Sequence, residues 1–422
     1  MTPILFSTFI ALVFLGVPIA FVLGIASLAA MVFVGDYPLQ VVVQRMFAAV
    51  DSFPLMAIPF FMLAGSLMEK GGITSRIVGF ALSLVGGIRG SLSHVVSITG
   101  VIMGGISGSA VADTAAIGSI MVPEMAKRNY HRDYSAALVA AAGSIGLILP
   151  PSIAMIIYGV SANASIGDLF MAGFLPGLLC AGGFMLYAHY VAIKRGYPIE
   201  GKKSWSERWV SFKDSIWALL MPVVIIVGIR YGVFTPTEGG VVAAVYAIVV
   251  GKFIYKELQW SDFPQVFGQA TISTATISFL IATASLFSWL LACEQIPQQL
   301  TAAILSLSDN KFVVLAMINL LLLFVGMFLD SGPAIILLVP VLVPVAQSLD
   351  VNLVQFGLMM VINVTIGLLT PPVGTALFVA SNISKVPLLT LSRAMLPFVG
   401  IMLIVLLLIT YVPELTTWVI KK

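Results

Sequence analysis

The chain has 422 residues, of which 60% are hydrophobic and only 9% charged, with a mean hydropathy of +1.09. Soluble globular domains carry about 25% charged residues, so this composition excludes a soluble enzyme core and reads as an all-α polytopic membrane protein. The formal net charge of +3 says little until the charges are placed along the chain, and no nucleic-acid partner is expected.

From the N-terminus, the apolar run Pro3 to Val34 lacks a basic leader segment. It is also far longer than the about 7–15 apolar residues of a signal peptide. It reads as retained spans divided near Gly16-Val-Pro18. The polar-interrupted segment 36–51 has two readings, an amphipathic helix lying along the interface and a plain loop. A span over 52–70 follows. Segment 93–123 is apolar but interrupted at Ser107-Gly-Ser109. At about 1.5 Å per residue, half of it falls short of about 30 Å of hydrocarbon. The segment therefore reads as a re-entrant helical hairpin, with two short spans as the alternative. Residues 124–133 carry Lys127, Arg128 and Arg132. The apolar segment 134–160 contains Gly146-Leu-Ile-Leu-Pro-Pro-Ser152, where proline removes a backbone donor and breaks the helix. A span over 168–193 closes the first half.

The linker 194–213 holds Lys194, Arg195, Lys202, Lys203, Arg208 and Lys213. Spans are predicted over 214–231, 235–255 and 271–292, with a second interfacial or loop segment at 256–270. A second hairpin covers 312–346, interrupted at Asp330-Ser-Gly-Pro333, and a second broken helix covers 354–383, with Gly367-Leu-Leu-Thr-Pro-Pro-Val373. The last span is 391–415. The total expected is ten to twelve.

The two Pro-Pro stretches stand 221 residues apart, and Gly105 and Pro123 map onto Gly326 and Pro344 at the same shift. Residues 1–193 and 214–422 therefore read as two repeats. Lys and Arg concentrate in cytoplasmic loops, which places 124–133 and 194–213 inside. Hairpin one then enters from the cytoplasm and hairpin two from outside, so the repeats are inverted. Lys252, Lys256 and Lys385 also fall inside, and Lys421-Lys422 fall outside.

The chemistry is expected where helices are interrupted. Half-helix C-termini present carbonyls that suit a dehydrated cation, and N-termini present amides that suit an anion. Matching broken helices in two halves point to a transporter's binding site. One Na⁺ is expected between hairpin one and the first break, at Ser107, Gly108, Ser109, Gly146 and Pro150. A second is expected at Gly326, Asp330, Ser331, Gly367 and Thr370, with Gly332 allowing close backbone approach. A substrate carboxylate would meet Ser109, Ser152, Ser331, Thr370 and Pro371. The plain alternative is that these Gly, Ser and Pro residues only permit close helix packing. Asp330 reads equally as an ion ligand or a helix N-cap. Asp113, past the tip of hairpin one, reads as structural. Asn163, Asn363 and Asn382 read as hydrogen-bonding glue between helices, and Arg45, Arg76, Arg89 and Arg230 as snorkelling span ends. Cys180 and Cys293 stand alone, and His94, His131 and His189 are scattered, so no disulfide, metal centre or cofactor is expected. No nucleotide-binding loop appears. That favours ion-gradient coupling, in which each Na⁺ moving inward across 100 mV releases about 2.3 kcal/mol.

Ser107-Gly-Ser-Ala-Val-Ala-Asp-Thr-Ala-Ala-Ile-Gly-Ser-Ile-Met-Val-Pro-Glu-Met125 resembles the signature of the large membrane subunit of TRAP transporters (tripartite ATP-independent periplasmic, DctM/SiaM type). Gly146–Ser152, Gly367–Val373 and the opening Leu15-Gly-Val-Pro-Ile-Ala20 fit the same family, so the resemblance covers essentially the whole chain. It implies a multi-pass protein of the bacterial inner membrane that carries an organic acid, of sialic acid or C4-dicarboxylate type, in symport with Na⁺. It also implies a small four-helix membrane subunit and a periplasmic substrate-binding protein as partners. The implied mechanism is an elevator, with 93–160 and 312–383 moving against a scaffold. No four-span block precedes Met1, so an unfused large subunit is expected. The alternatives are a stand-alone Na⁺/organic-anion symporter, an ion channel with two re-entrant loops and a scaffold for partner subunits.

Overall fold

The computed structural model describes residues 1–420 apart from Asp36, Asp309 and Val419. Lys421 and Lys422, expected outside the membrane, therefore lie beyond the described residues. Every regular element among those residues is helical. Helices α1 (Thr2–Phe14) and α2 (Ile19–Val34) part at Gly16 and Pro18, where Gly16 has φ +74°. Then come α3 (Gln40–Val50), α4 (Ala57–Lys70) and α5 (Ile73–Val85). Hairpin one is α6 (Ser91–Ser107) and α7 (Ala110–Lys127). The first broken helix is α8 (Arg132–Ser144), a short turn, and α9 (Ile153–Ser161); α10 (Ile166–Arg195) follows.

The second half opens with α11 (Trp205–Arg230) and α12 (Pro236–Val249). Both start with capping boxes, Ser204 with Glu207 and Thr235 with Glu238, as their S/T-x-x-E sequences dictate. Next are α13 (Phe263–Cys293), α14 (Ile296–Leu307), and hairpin two, α15 (Lys311–Gly326) and α16 (Ser331–Ser348). The second broken helix is α17 (Leu353–Gly367) and α18 (Thr375–Ser384), and α19 (Leu388–Tyr411) follows. Ala110 and Ser331, which open α7 and α16, stand 221 residues apart, as do the cis bonds Pro150-Pro151 and Pro371-Pro372.

Two packing groups emerge. In one, α2, α3 and α4 lie against α13, α4 against α12, and α5 against α11. In the other, the halves cross over: α9 packs on α16 and α17, while α18 packs on α7 and α8. Helices α8 and α17 sit at the centre and are buried all round, from Tyr134 to Ser144 and from Val354 to Gly367. The small side chains of α8, such as Ala140, Ala141, Ala142 and Gly143, let its neighbours approach closely.

The structure departs from the sequence reading in several places. Seven helices among the described residues are long and apolar enough to cross a membrane, against the ten to twelve spans expected. The difference lies in shorter apolar helices such as α1, α2, α15 and α17. Helix α5 was not predicted, because Thr74, Ser75, Arg76 and Ser83 interrupt its hydropathy. It forms by packing between α6 and α11. Helix α14 was likewise missed: only Pro297 of it is buried, and it lies along α16. Finally, 256–270 is not a separate element. After a short turn it runs straight into α13, since Pro264 sits at the helix start, where proline is tolerated.

Candidate functional site

Each hairpin turn is tied to the break that follows it. In the first half α6 ends at Gly108, φ +64°, whose carbonyl accepts a hydrogen bond from Ile153 N at 3.4 Å. A Cβ at Gly108 would lie 2.6 Å from the carbonyl oxygen of Pro151, so this approach requires glycine. Ser109 caps α7 by accepting from Ala112 N at 3.4 Å, and Ser152 caps α9 by accepting from Met155 N at 3.3 Å. The Ser152 hydroxyl also donates to Leu147 O at 2.6 Å and is fully buried. Two helix N-termini therefore begin beside one another, each with a serine cap.

Ser107 Oγ donates to Asp113 Oδ1 at 2.6 Å and accepts from Ser109 N at 3.1 Å. Asp113 has no solvent exposure, and its Oδ2 has no hydrogen-bond partner among the described residues. That oxygen points at Gly146, where it fills the space a side chain would take. A Cβ on Gly104 would stand 2.9 Å from Gly146 Cα, so the arm and the break touch through bare backbone. Thr114 Oγ1 is a second buried, unpartnered oxygen in the first turns of α7. Hairpin one also meets the other packing group here: a Cβ on Gly65 of α4 would lie 3.5 Å from Ser107.

In the second half, Val373 N donates to Met327 O at 3.1 Å. Gly326 and Gly367 lie backbone to backbone, and a Cβ on Gly326 would be 3.3 Å from Gly367 Cα. Thr370 Oγ1 donates back to its own turn, at 2.8 Å from Ile366 O and 3.0 Å from Gly367 O. Asp330 caps α16, accepting from Ser331 N at 3.0 Å, and also accepts from Thr375 Oγ1 at 3.4 Å. The interruption of hairpin two thus falls at Met327–Asp330, slightly earlier than Asp330–Pro333. Ser331, Gly332 and Pro333 form the first helical turn, where proline lacks no needed donor. Behind the break, Asn363 Nδ2 donates to Asn319 Oδ1 at 2.7 Å, and Asn319 Nδ2 donates to Thr410 Oγ1 at 3.1 Å. Asn163 lies instead in the α9–α10 connection, with φ +52°.

The structure gathers Ser107, Gly108, Ser109, Gly146 and Pro150 in one place, and Gly326, Asp330, Ser331, Gly367, Thr370 and Pro371 in another. The two meet through α9 and α16, where a Cβ on Gly332 would be 3.7 Å from Ile157. Asp113, read from sequence as structural, is the fully buried carboxylate of this region. Its counterpart at the 221-residue shift is Ala334, whereas Asp330 corresponds to Ser109, and both of those cap a helix. A carboxylate in an apolar run is costly without a partner. No cluster of three or more His, Cys, Asp or Glu suited to a metal occurs among the described residues. The donors gathered here are carboxylate, hydroxyl and backbone oxygens, which suit a hard cation.

The family described as Tripartite ATP-independent periplasmic transporter, DctM component, matches residues 6–415. The chain is 42% identical over 407 residues to the sialic acid TRAP transporter large permease protein SiaM of Vibrio cholerae, covering 96% of this chain and 95% of that protein. It is 41% identical over 414 residues to the isethionate TRAP transporter permease protein DctMQ of Oleidesulfovibrio alaskensis, covering 98% of this chain and 65% of that one. Among solved structures, the YdaH transporter of Alcanivorax borkumensis superposes with a TM-score of 0.62 over 89% of this chain and 87% of that chain. At 17% identity, that likeness concerns the fold alone. The gathered hairpin turns and helix breaks thus sit in a multi-pass membrane transporter rather than an enzyme: the chain belongs to the DctM family, as a large permease of the tripartite ATP-independent periplasmic type.

Proposed function

We propose that this permease imports an organic acid anion by Na⁺ symport, through an elevator motion across the bacterial inner membrane. The observation that carries the reading is the buried, half-satisfied carboxylate of Asp113, set between Ser107 and the break at Gly146. A buried charge is stable only when paired. A dehydrated Na⁺ beside Ser107, Asp113 and the backbone of the first break supplies that pairing. The second break, with Gly326, Gly367 and the Thr370 hydroxyl, offers a neutral oxygen set for a second ion. The substrate carboxylate then meets Ser109, Ser331 and the neighbouring helix N-termini between the two ions.

Matched element starts at one shift support two inverted repeats, and the two packing groups support a frame with α6–α9 and α15–α18 as the moving part. Relatives named for sialic acid and isethionate support an organic anion as cargo, with a C4-dicarboxylate as the other candidate. A small four-helix membrane subunit is the proposed membrane partner, in line with the relative named DctMQ, of which this chain spans 65%. A periplasmic binding protein delivers the substrate. Proteoliposomes holding the chain and its small subunit test this. Uptake of a delivered acid should require inward Na⁺, and uptake that ignores Na⁺ or runs without a binding protein would reject the tripartite symport reading.

A further inference from the structure

Away from the hairpins, a cleft of about 360 Å³ opens where the start of α8, the end of α10 and the start of α19 meet. Asp133, Tyr134, Tyr187, Arg195, Thr390 and Arg393 line it. Neither guanidinium has a carboxylate within 4.0 Å among the described residues, and Arg393 has no hydrogen bond there either. Arg195 is steadied by Tyr197, to whose hydroxyl it donates at 3.3 Å, and lies 5.7 Å over the Tyr134 ring. Asp133 Oδ1 accepts from Tyr134 N at 2.8 Å, and its carboxylate also acts on Arg195 through space. Two guanidinium groups against one carboxylate leave the lining with a formal charge of +1. Thr390 lies in the first turn of α19, and that helix starts after Pro387 with no side-chain cap.

The surface beside the cleft is apolar. Leu186, Tyr190 and Ile193 on α10 and Leu389 and Leu396 on α19 are all exposed. In a membrane protein such a face meets acyl chains, while paired arginines at the helix ends meet headgroups. Two arginines without a salt bridge among the described residues, a hydroxyl and an uncapped helix start face this cleft, and the adjoining apolar face tells lipid from free phosphate. We propose that this cleft binds the phosphate headgroup of an anionic phospholipid, with Arg195 and Arg393 as its ligands and the acyl chains along α10 and α19.

The test is native mass spectrometry of the full-length chain with added phosphatidylglycerol or phosphatidylcholine, for the parent protein, Arg195→Gln, Arg393→Gln and the double variant. The parent should retain phosphatidylglycerol preferentially, and each substitution should cut retention about fivefold, the effect expected per interfacial cation. Arg393→Gln removes no intramolecular bond, so it keeps the test valid if Arg195→Gln lowers stability. Equal phosphatidylglycerol retention by the parent and Arg393→Gln would overturn the proposal. So would displacement of the lipid by millimolar inorganic phosphate, which would make this a site for soluble anions.

Discussion

The carboxylate of Asp113 stands in the space that a side chain on Gly146 would need. One residue lies on the second arm of hairpin one, the other at the first helix break, so this carboxylate oxygen adds to the backbone contacts that already join the two elements. This contact couples the hairpin to the break and makes both positions sensitive to small changes.

Gly146→Ala should force Asp113 aside and cost about 1–3 kcal/mol of stability, the range for overpacking a tight site. Gly367→Ala should cost more, because a Cβ there would meet the backbone carbonyl of Gly326, which cannot rotate away as a carboxylate can. Gly79→Ala is the control, since nothing lies within 4 Å of a Cβ there. Thermal unfolding in detergent should place Gly79→Ala highest, Gly146→Ala next and Gly367→Ala lowest.

Asp113→Asn keeps an oxygen to accept from Ser107 and preserves shape, but removes the charge. The expected result is a folded protein whose half-saturating Na⁺ concentration for uptake rises at least tenfold, about 1.4 kcal/mol. A Na⁺ titration of uptake identical to the parent's would remove Asp113 from the ion site.

Arg76 joins three elements. Its Nη1 lies 2.6 Å from Glu257 Oε1, its Nε 3.8 Å from Asp214, and its guanidinium 3.8 Å over the Tyr255 ring. Ser215 Oγ also donates to Arg76 O at 2.9 Å. Sequence reading treated Arg76 as a snorkelling cation, whereas the structure makes it a clamp between α5, α11 and the turn before α13. Because Glu257 is exposed, Arg76→Ala should cost only about 1 kcal/mol. Arg76→Lys should recover little of this, as an ammonium cannot stack in the same way. Unfolding curves at low and high salt would check both, with the loss shrinking as salt rises.

Asn363→Ala should cost about 1–3 kcal/mol by orphaning Asn319 Oδ1 in a buried site. Adding Asn319→Ala should cost less than a second full increment, because the partner is already unpaired. A double-mutant cycle on thermal stability measures the coupling, and strictly additive losses would show that the pair does not act as a unit.

Much of this architecture is legible along the chain. The helix interruptions after Ser107, Ser144 and Gly367 are legible from Ser-Gly-Ser, Pro-Pro and Gly residues, because proline and glycine act on the backbone locally, whatever surrounds them. The 221-residue spacing needed only the sequence. What stayed hidden depends on neighbours. Helix α5 carries too many polar groups to be read by hydropathy, and its helical state comes from packing between α6 and α11. That Asp330 accepts from Thr375 Oγ1 as well as from Ser331 N depends on a neighbour 45 residues away.

By itself, then, the amino-acid sequence determined that this is an all-helical membrane protein whose helices are interrupted at its Ser-Gly-Ser and Pro-Pro stretches, since composition and backbone chemistry are local properties. Only the tertiary structure decided that Asp113 faces Gly146, that α9 crosses to α16 and α18 to α7, and that Arg195 and Arg393 share a cleft. Those contacts join residues far apart in the chain, and no local preference specifies which distant surface a side chain will meet.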